Sequence, residues 1–166
     1  MLERHKTTHF GCFMHEVKPT IPPPVVTLVW AFIIGSLSLV TPVVPADATL
    51  RIVASLSTVG LALVVIGLGV LSFKRVRTTV NPLRPERAST LVTSGIYRWT
   101  RNPMYLGLAT LLVAWTLFLA CPAGVFGVLG FVWYMNKVQI ASEEQALRAL
   151  FGREFEDYQS KVRRWF

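Results

Sequence analysis

Three long stretches of this sequence contain no charged residue: 25–41, 52–73 and 104–136. That absence excludes a water-facing surface along any of them. The 166-residue chain is 52% hydrophobic with a mean hydropathy of +0.49, which is too apolar for an ordinary soluble domain. A membrane span needs about 20 apolar residues, with roughly 17 as the lower limit. The third stretch is interrupted by Cys121-Pro122-Ala123-Gly124, which is turn chemistry. It reads as a hairpin of two short helices, in preference to one long buried helix. The sequence therefore predicts an all-α integral membrane protein with four transmembrane helices, at about 25–41, 50–73, 104–120 and 124–140. Residues 1–24 form a tail, and 25–166 form a single domain that ends in a polar segment, 141–166.

Cysteine is scarce. Cys12 and Cys121 fall on opposite sides of the bilayer in this topology, which excludes an intrachain disulfide. Acid is scarce too, with nine Asp and Glu against 17 Lys and Arg, a net charge of +8. Sixteen of the 17 basic residues fall on one predicted side, and Arg51 is the exception. This positive-inside pattern places both termini in the cytoplasm. The charge is then explained by topology and by anionic lipid headgroups. No basic groove interleaved with aromatics is present, so nucleic acid is excluded as a partner. Residues 1–24 lack the apolar core of roughly 7–15 residues that a signal peptide carries. The first span is expected to direct insertion itself, a type that suits a bacterial inner membrane. The tail holds His5, His9, Cys12 and His15 but lacks a helix-forming pattern. No metal site is expected there.

Polar chemistry concentrates in two predicted cytoplasmic segments. In the first, residues 74–103, Asn81-Pro82 and Arg84-Pro85 keep the chain out of regular helix. Asn102-Pro103 suits the start of the third span, with Asn102 as a cap. Gly107 suits close helix packing. Neither reading accounts for Tyr97, Arg98, Arg101 and Tyr105. In the second segment, Ser142 is a candidate cap for a new amphipathic helix carrying Leu147, Leu150, Phe151, Phe155 and Tyr158. Gly152 is expected to break or kink it. Glu144 and Arg148 stand four apart and could pair. Yet Glu143 and Glu144, directly after a span and facing an arginine-rich loop, form a polar site beside hydrocarbon. Such residues are costly unless they bind something.

Leu91-Val92-Thr93-Ser94-Gly95-Ile96-Tyr97, followed by Arg101-Asn102-Pro103-Met104-Tyr105-Leu106-Gly107, resembles the signature of the isoprenylcysteine carboxyl methyltransferases. Its Asn-Pro-Met-Tyr half also resembles the phospholipid N-methyltransferases. Glu143-Glu144, Leu147, Phe151-Gly152, Phe155 and Tyr158 resemble that family's second block. The likeness covers roughly residues 78–166. It implies an integral membrane enzyme using S-adenosylmethionine, with a C-terminal helical segment covering a cofactor pocket at the cytoplasmic face. It also implies a lipophilic methyl acceptor entering from the bilayer.

Residue by residue, the resemblance implies that Gly95, Tyr97, Arg101, Asn102, Tyr105, Glu143, Glu144, Phe155 and Tyr158 bind the cofactor. Arg101, Asn102 and Glu144 are the implied catalytic residues. Arg101 would meet a carboxylate, and Glu143 and Glu144 an amino group or ribose hydroxyls. Arg163 or Arg164 would hold the C-terminal flap. The prenylcysteine enzymes usually carry histidine where Asn102 stands and often another near Ser89. Carboxyl O-methylation and amine N-methylation of a lipid both stay open, as does a non-catalytic membrane protein that retains the fold.

Overall fold

The computed structural model describes residues 21–76 and 90–166. The N-terminal tail with its histidines and Cys12, and the Asn81-Pro82 and Arg84-Pro85 region, lie outside the described residues.

The described residues are helical, with no strand among them. Helix α1 spans Pro23–Val40 and α2 spans Ala48–Val76. A single 3-10 turn, Gly95–Arg98, precedes α3, Pro103–Phe118. Helix α4, Gly124–Tyr134, runs through a π-helical turn, Met135–Ile140, into α5, Ala141–Phe151. Helix α6, Arg153–Lys161, follows Gly152.

Helices α1 and α2 are long and apolar enough to cross a membrane. Their outward side chains are large and apolar: Phe32 is 76% exposed and Leu56 is 65% exposed. A soluble core helix would bury such residues, so these faces suit lipid. Helix α3 has 16 residues, shorter than the expected 104–120 span, because the chain leaves the helix after Phe118 and turns. The hairpin between α3 and α4 forms at Cys121–Ala123 as the Pro-Ala-Gly sequence predicts.

Helix α3 is the hub, touching α1, α2 and α4. Small residues let it and α4 approach their neighbours. A Cβ on Gly107 of α3 would lie 2.4 Å from Ile66 of α2. On α4, Gly127 receives Ile34 and Gly130 receives Trp30, both from α1. Without a strong hydrophobic drive between helices in lipid, this close packing supplies much of their attraction. The Trp115 indole also donates to the Ala31 carbonyl at 3.0 Å, tying α3 to α1.

One end of the bundle is closed by the hairpin turn. There Val44 N donates to the Ala120 carbonyl at 2.9 Å, and Arg51 Nε donates to the Phe118 carbonyl at 3.0 Å. The opposite end carries the 3-10 turn, the start of α3, and α5 and α6. Arg51 therefore sits at the end away from Arg98, Arg101, Arg163 and Arg164, matching the charge asymmetry read from the sequence.

One local expectation is corrected. Ser142 caps nothing, because the π-helical turn carries the backbone without interruption from α4 into α5. Gly152 breaks the amphipathic C-terminal segment into two helices, as its sequence position led one to expect, and its φ of +49° is a left-handed conformation that glycine tolerates.

Gly107→Ala is expected to lower stability by about 1–3 kcal/mol through overpacking against Ile66. Gly60 has open space where a Cβ would stand, so Gly60→Ala should be neutral or slightly stabilising. Thermal unfolding of both variants in one detergent checks the contrast.

Candidate active site

The site assembles from three separated pieces of chain at one end of the bundle. The first piece, 95–102, is set by Gly95. Its φ is +64°, and a Cβ there would meet Ser72 Oγ at 2.8 Å. The close neighbour of Gly95 is thus α2. The turn places Tyr97 edge-on to Phe73, with ring centroids 5.4 Å apart. Tyr97 is buried, and its carbonyl accepts the Tyr158 hydroxyl of α6 at 2.7 Å. Burial raises the pKa of both phenols, so both stay protonated donors.

Arg101 and Glu144 meet. Arg101 Nη1 lies 3.1 Å from Glu144 Oε1. Arg164 grips the same carboxylate through two hydrogen bonds, Nε to Oε1 at 2.9 Å and Nη2 to Oε2 at 2.6 Å. Such a two-pronged charged contact is among the strongest hydrogen-bonding arrangements. The i, i+4 partner foreseen for Glu144 goes elsewhere: Arg148 donates to Gln159 at 2.8 Å. A planar fork reaching both oxygens outcompetes a flexible exposed pair. Burial lowers the pKa of Arg101 against the opposing pull of Glu144, whereas the bonds to Glu144 raise that of Arg164.

The residues after α6 lie across the start of α3 as a strap. The Arg163 carbonyl accepts from Arg101 N at 3.0 Å. The Arg164 carbonyl accepts from Thr100 Oγ1 at 3.1 Å and from Asn102 Nδ2 at 3.0 Å. Asn102 does occupy the cap position of α3, but its side chain holds the strap instead of capping the helix. Trp165 adds a bond to Asn136 at 3.1 Å.

Glu143, next to Glu144, has quite different surroundings. The Tyr105 hydroxyl and the Gln139 amide both donate to its Oε1, the amide at 2.6 Å. Burial pushes its pKa up to about 7, outweighing these bonds, and the charge of Glu144 adds to the rise. Gln139 is itself almost fully buried. Neither Gln139 nor Thr100 was singled out from the sequence. Gln139 was findable as the polar residue one helical turn before Glu143 in an apolar run.

Of the residues expected at the site, Arg101, Glu144, Tyr105, Glu143 and Asn102 are joined directly or through the strap. Tyr97, Tyr158 and Phe155 form a packed wall, with the Phe155 and Tyr158 rings 6.4 Å apart. Gly95 shapes the turn beneath them.

Two features suit a charged small-molecule ligand. Arg101 Nε is shut off from solvent and has no hydrogen-bond partner among the described residues, while Nη1 is ion-paired with Glu144 without hydrogen-bond geometry. A shielded guanidinium with a donor left over fits an anionic oxygen group. Glu143 lacks any counter-cation among the described residues and fits a positive one.

Comparison with known proteins agrees with this chemistry. The family model described as phospholipid methyltransferase matches residues 50–154. The chain belongs to the phospholipid methyltransferase family. A probable protein-S-isoprenylcysteine O-methyltransferase of Oryza sativa subsp. indica is 35% identical over 111 residues, covering 64% of this chain and 58% of that protein. The protein-S-isoprenylcysteine O-methyltransferase of Mus musculus is 38% identical over 74 residues, 44% of this chain and 26% of its own. An uncharacterized protein of Haemophilus influenzae is 47% identical over 62 residues, 37% of this chain and 98% of its own. The chain thus spans little more than half of the rice protein and about a quarter of the mouse one. No solved structure matches. Family membership and the apolar helices support a membrane methyltransferase.

The raised pKa of Glu143 makes stability depend on pH. The folded chain keeps a proton that the unfolded chain releases near its ordinary value of 4.5. That contribution is fully present below about 4.5 and is lost as pH rises through about 7. The melting temperature should fall across this window in wild type, and Glu143→Gln should flatten that part of the slope.

Proposed function

We propose that this chain is an S-adenosylmethionine-dependent methyltransferase of a lipophilic acceptor, working by carboxyl O-methylation of the isoprenylcysteine type or a closely related reaction. The observation that carries this reading is Arg101, largely shielded beside Glu144, with a solvent-shielded Nε that has no hydrogen-bond partner among the described residues. The names of the rice and mouse relatives supply the reaction class. Four helices cross the membrane in this reading, with both termini and the site on the cytoplasmic side.

When bound, S-adenosylmethionine supplies a methyl group made electrophilic by its sulfonium sulfur. The residues present do the rest. Arg101 offers Nε to a carboxylate of cofactor or acceptor, while Glu144, paired with its Nη1, holds it in place. Tyr105 and Gln139 orient Glu143 toward a cationic group. Tyr97, Tyr158 and Phe155 keep water from one side, and the strap lies across another. An anionic oxygen acceptor needs no general base here, because opposite charges cancel as the methyl group moves, and a dry site favours that. Most of the acceleration comes from holding two substrates, one from water and one from lipid, in line.

N-methylation of a lipid amine is the second reading. It is favoured by Asn102, whose amide is spent on the Arg164 carbonyl where prenylcysteine enzymes usually carry histidine.

Millimolar S-adenosylmethionine should raise the melting temperature of the purified protein in detergent, because a ligand at 100 times its Kd adds about 2.7 kcal/mol. Arg101→Ala and Glu144→Ala should abolish the shift. No shift in wild type would instead favour a non-catalytic membrane protein. Labelled methyl groups transferred into a lipid extract then separate the two reactions. Base releases methanol from an ester and leaves an N-methyl group intact.

A further inference from the structure

The main chain of Arg101 is held on both sides. Its own N–H donates to the Arg163 carbonyl at 3.0 Å. The next N–H, that of Asn102, stands at the cap position of α3, where the helix supplies no carbonyl for it. It donates instead to Thr100 Oγ1 at 3.2 Å. A side-chain oxygen that takes the N–H two residues ahead closes a tight local turn, and the residue enclosed by this one is Arg101. The same hydroxyl donates its proton to the Arg164 carbonyl at 3.1 Å. A hydroxyl can donate and accept at once, which neither alanine nor valine can do. Thr100 is only 3% exposed, and its own N–H returns to the Ile96 carbonyl at 3.3 Å. One buried residue therefore joins the turn that carries Tyr97, the cap of α3 and the strap, with Arg101 in the middle.

The far end of the Arg101 side chain is held by Glu144, 3.1 Å from Nη1, and Nε has no partner among the described residues. A guanidinium is planar and rigid. With Nη1 held, the direction of Nε follows from where the main chain sets the base of the side chain. Resting on the cofactor reading above, we propose that Thr100 is a positioning residue, whose hydroxyl sets the main chain of Arg101 so that Nε meets the carboxylate of bound S-adenosylmethionine. Valine at this position keeps the shape of threonine and removes both side-chain bonds. The strap keeps its bonds to Asn102 Nδ2, to Arg101 N and, through the Arg164 guanidinium, to Glu144. The loss then falls on the aim of Arg101 and not on the closure of the site.

Calorimetric titration of the full chain in detergent measures the effect, with S-adenosylmethionine and decarboxylated S-adenosylmethionine as probes. The second probe keeps the adenosine, the sulfonium and the amino group and lacks the carboxylate. Thr100→Val should bind S-adenosylmethionine about tenfold more weakly, the scale of a lost hydrogen bond or two. It should bind the decarboxylated probe as tightly as wild type does. Thr100→Ser keeps the hydroxyl and should recover most of the loss. Thr100→Cys, whose thiol donates and accepts weakly, should fall between, and it carries the comparison if the valine variant does not melt cooperatively. Unchanged affinity for S-adenosylmethionine in these variants, or an equal loss for both probes, overturns the positioning role and leaves the cofactor reading standing. No binding of S-adenosylmethionine to wild-type protein that melts cooperatively overturns both.

Discussion

The carboxylate of Glu144 is the point on which the site depends. Arg101 belongs to the approach to α3, Glu144 to α5, and Arg164 to the strap beyond α6. The two guanidinium groups are close enough that the charge of Arg164 depresses the pKa of Arg101. Between them, Glu144 turns a repulsion into a clamp. Placing the clamp at the end of an apolar bundle, with Arg101 mostly shut from water, strengthens each charged contact relative to bulk solvent.

Beneath the clamp, the bundle sets its geometry. Helix α3 can sit against α2 only because Gly107 has no side chain to collide with Ile66, and α4 can sit against α1 only because Gly127 and Gly130 receive Ile34 and Trp30. These contacts fix where α3 begins and where the π-helical turn emerges. That turn in turn aims Asn136 at Trp165 and Gln139 at Glu143. Such turns occur most often at functional sites, and here one joins the apolar part of a helix to its polar end.

Much of this was legible in the residues. The uncharged stretches gave the long helices, Pro122-Ala123-Gly124 gave the hairpin, Gly107 gave the close approach, and Gly152 gave the break after α5. What was not legible was every choice between a local partner and a distant one. Ser142 has the side chain of a cap, but a helix that is already running offers no orphan N–H groups to cap. Asn102 occupies a cap position and bonds to a carbonyl 62 residues away. Glu144 has Arg148 within one turn and pairs instead with Arg101 and Arg164. In each case tertiary geometry offered a better-shaped or less solvated contact than the neighbouring sequence did. Likeness to known methyltransferases gathered Arg101, Glu143 and Glu144 into one site, but it did not show that the two carboxylates play opposite electrostatic parts.

Half of the strap's hold comes from its main chain. The carbonyls of Arg163 and Arg164 take three hydrogen bonds, while the Arg164 guanidinium adds two on Glu144 and the Trp165 indole one on Asn136. Carbonyls are present whatever residue supplies them, so position 163 is open to drift in residue type. Length is another matter. One residue inserted or deleted between α6 and the strap would slide the carbonyls out of register with Thr100, Arg101 and Asn102, and would carry Arg164 away from Glu144 in the same step.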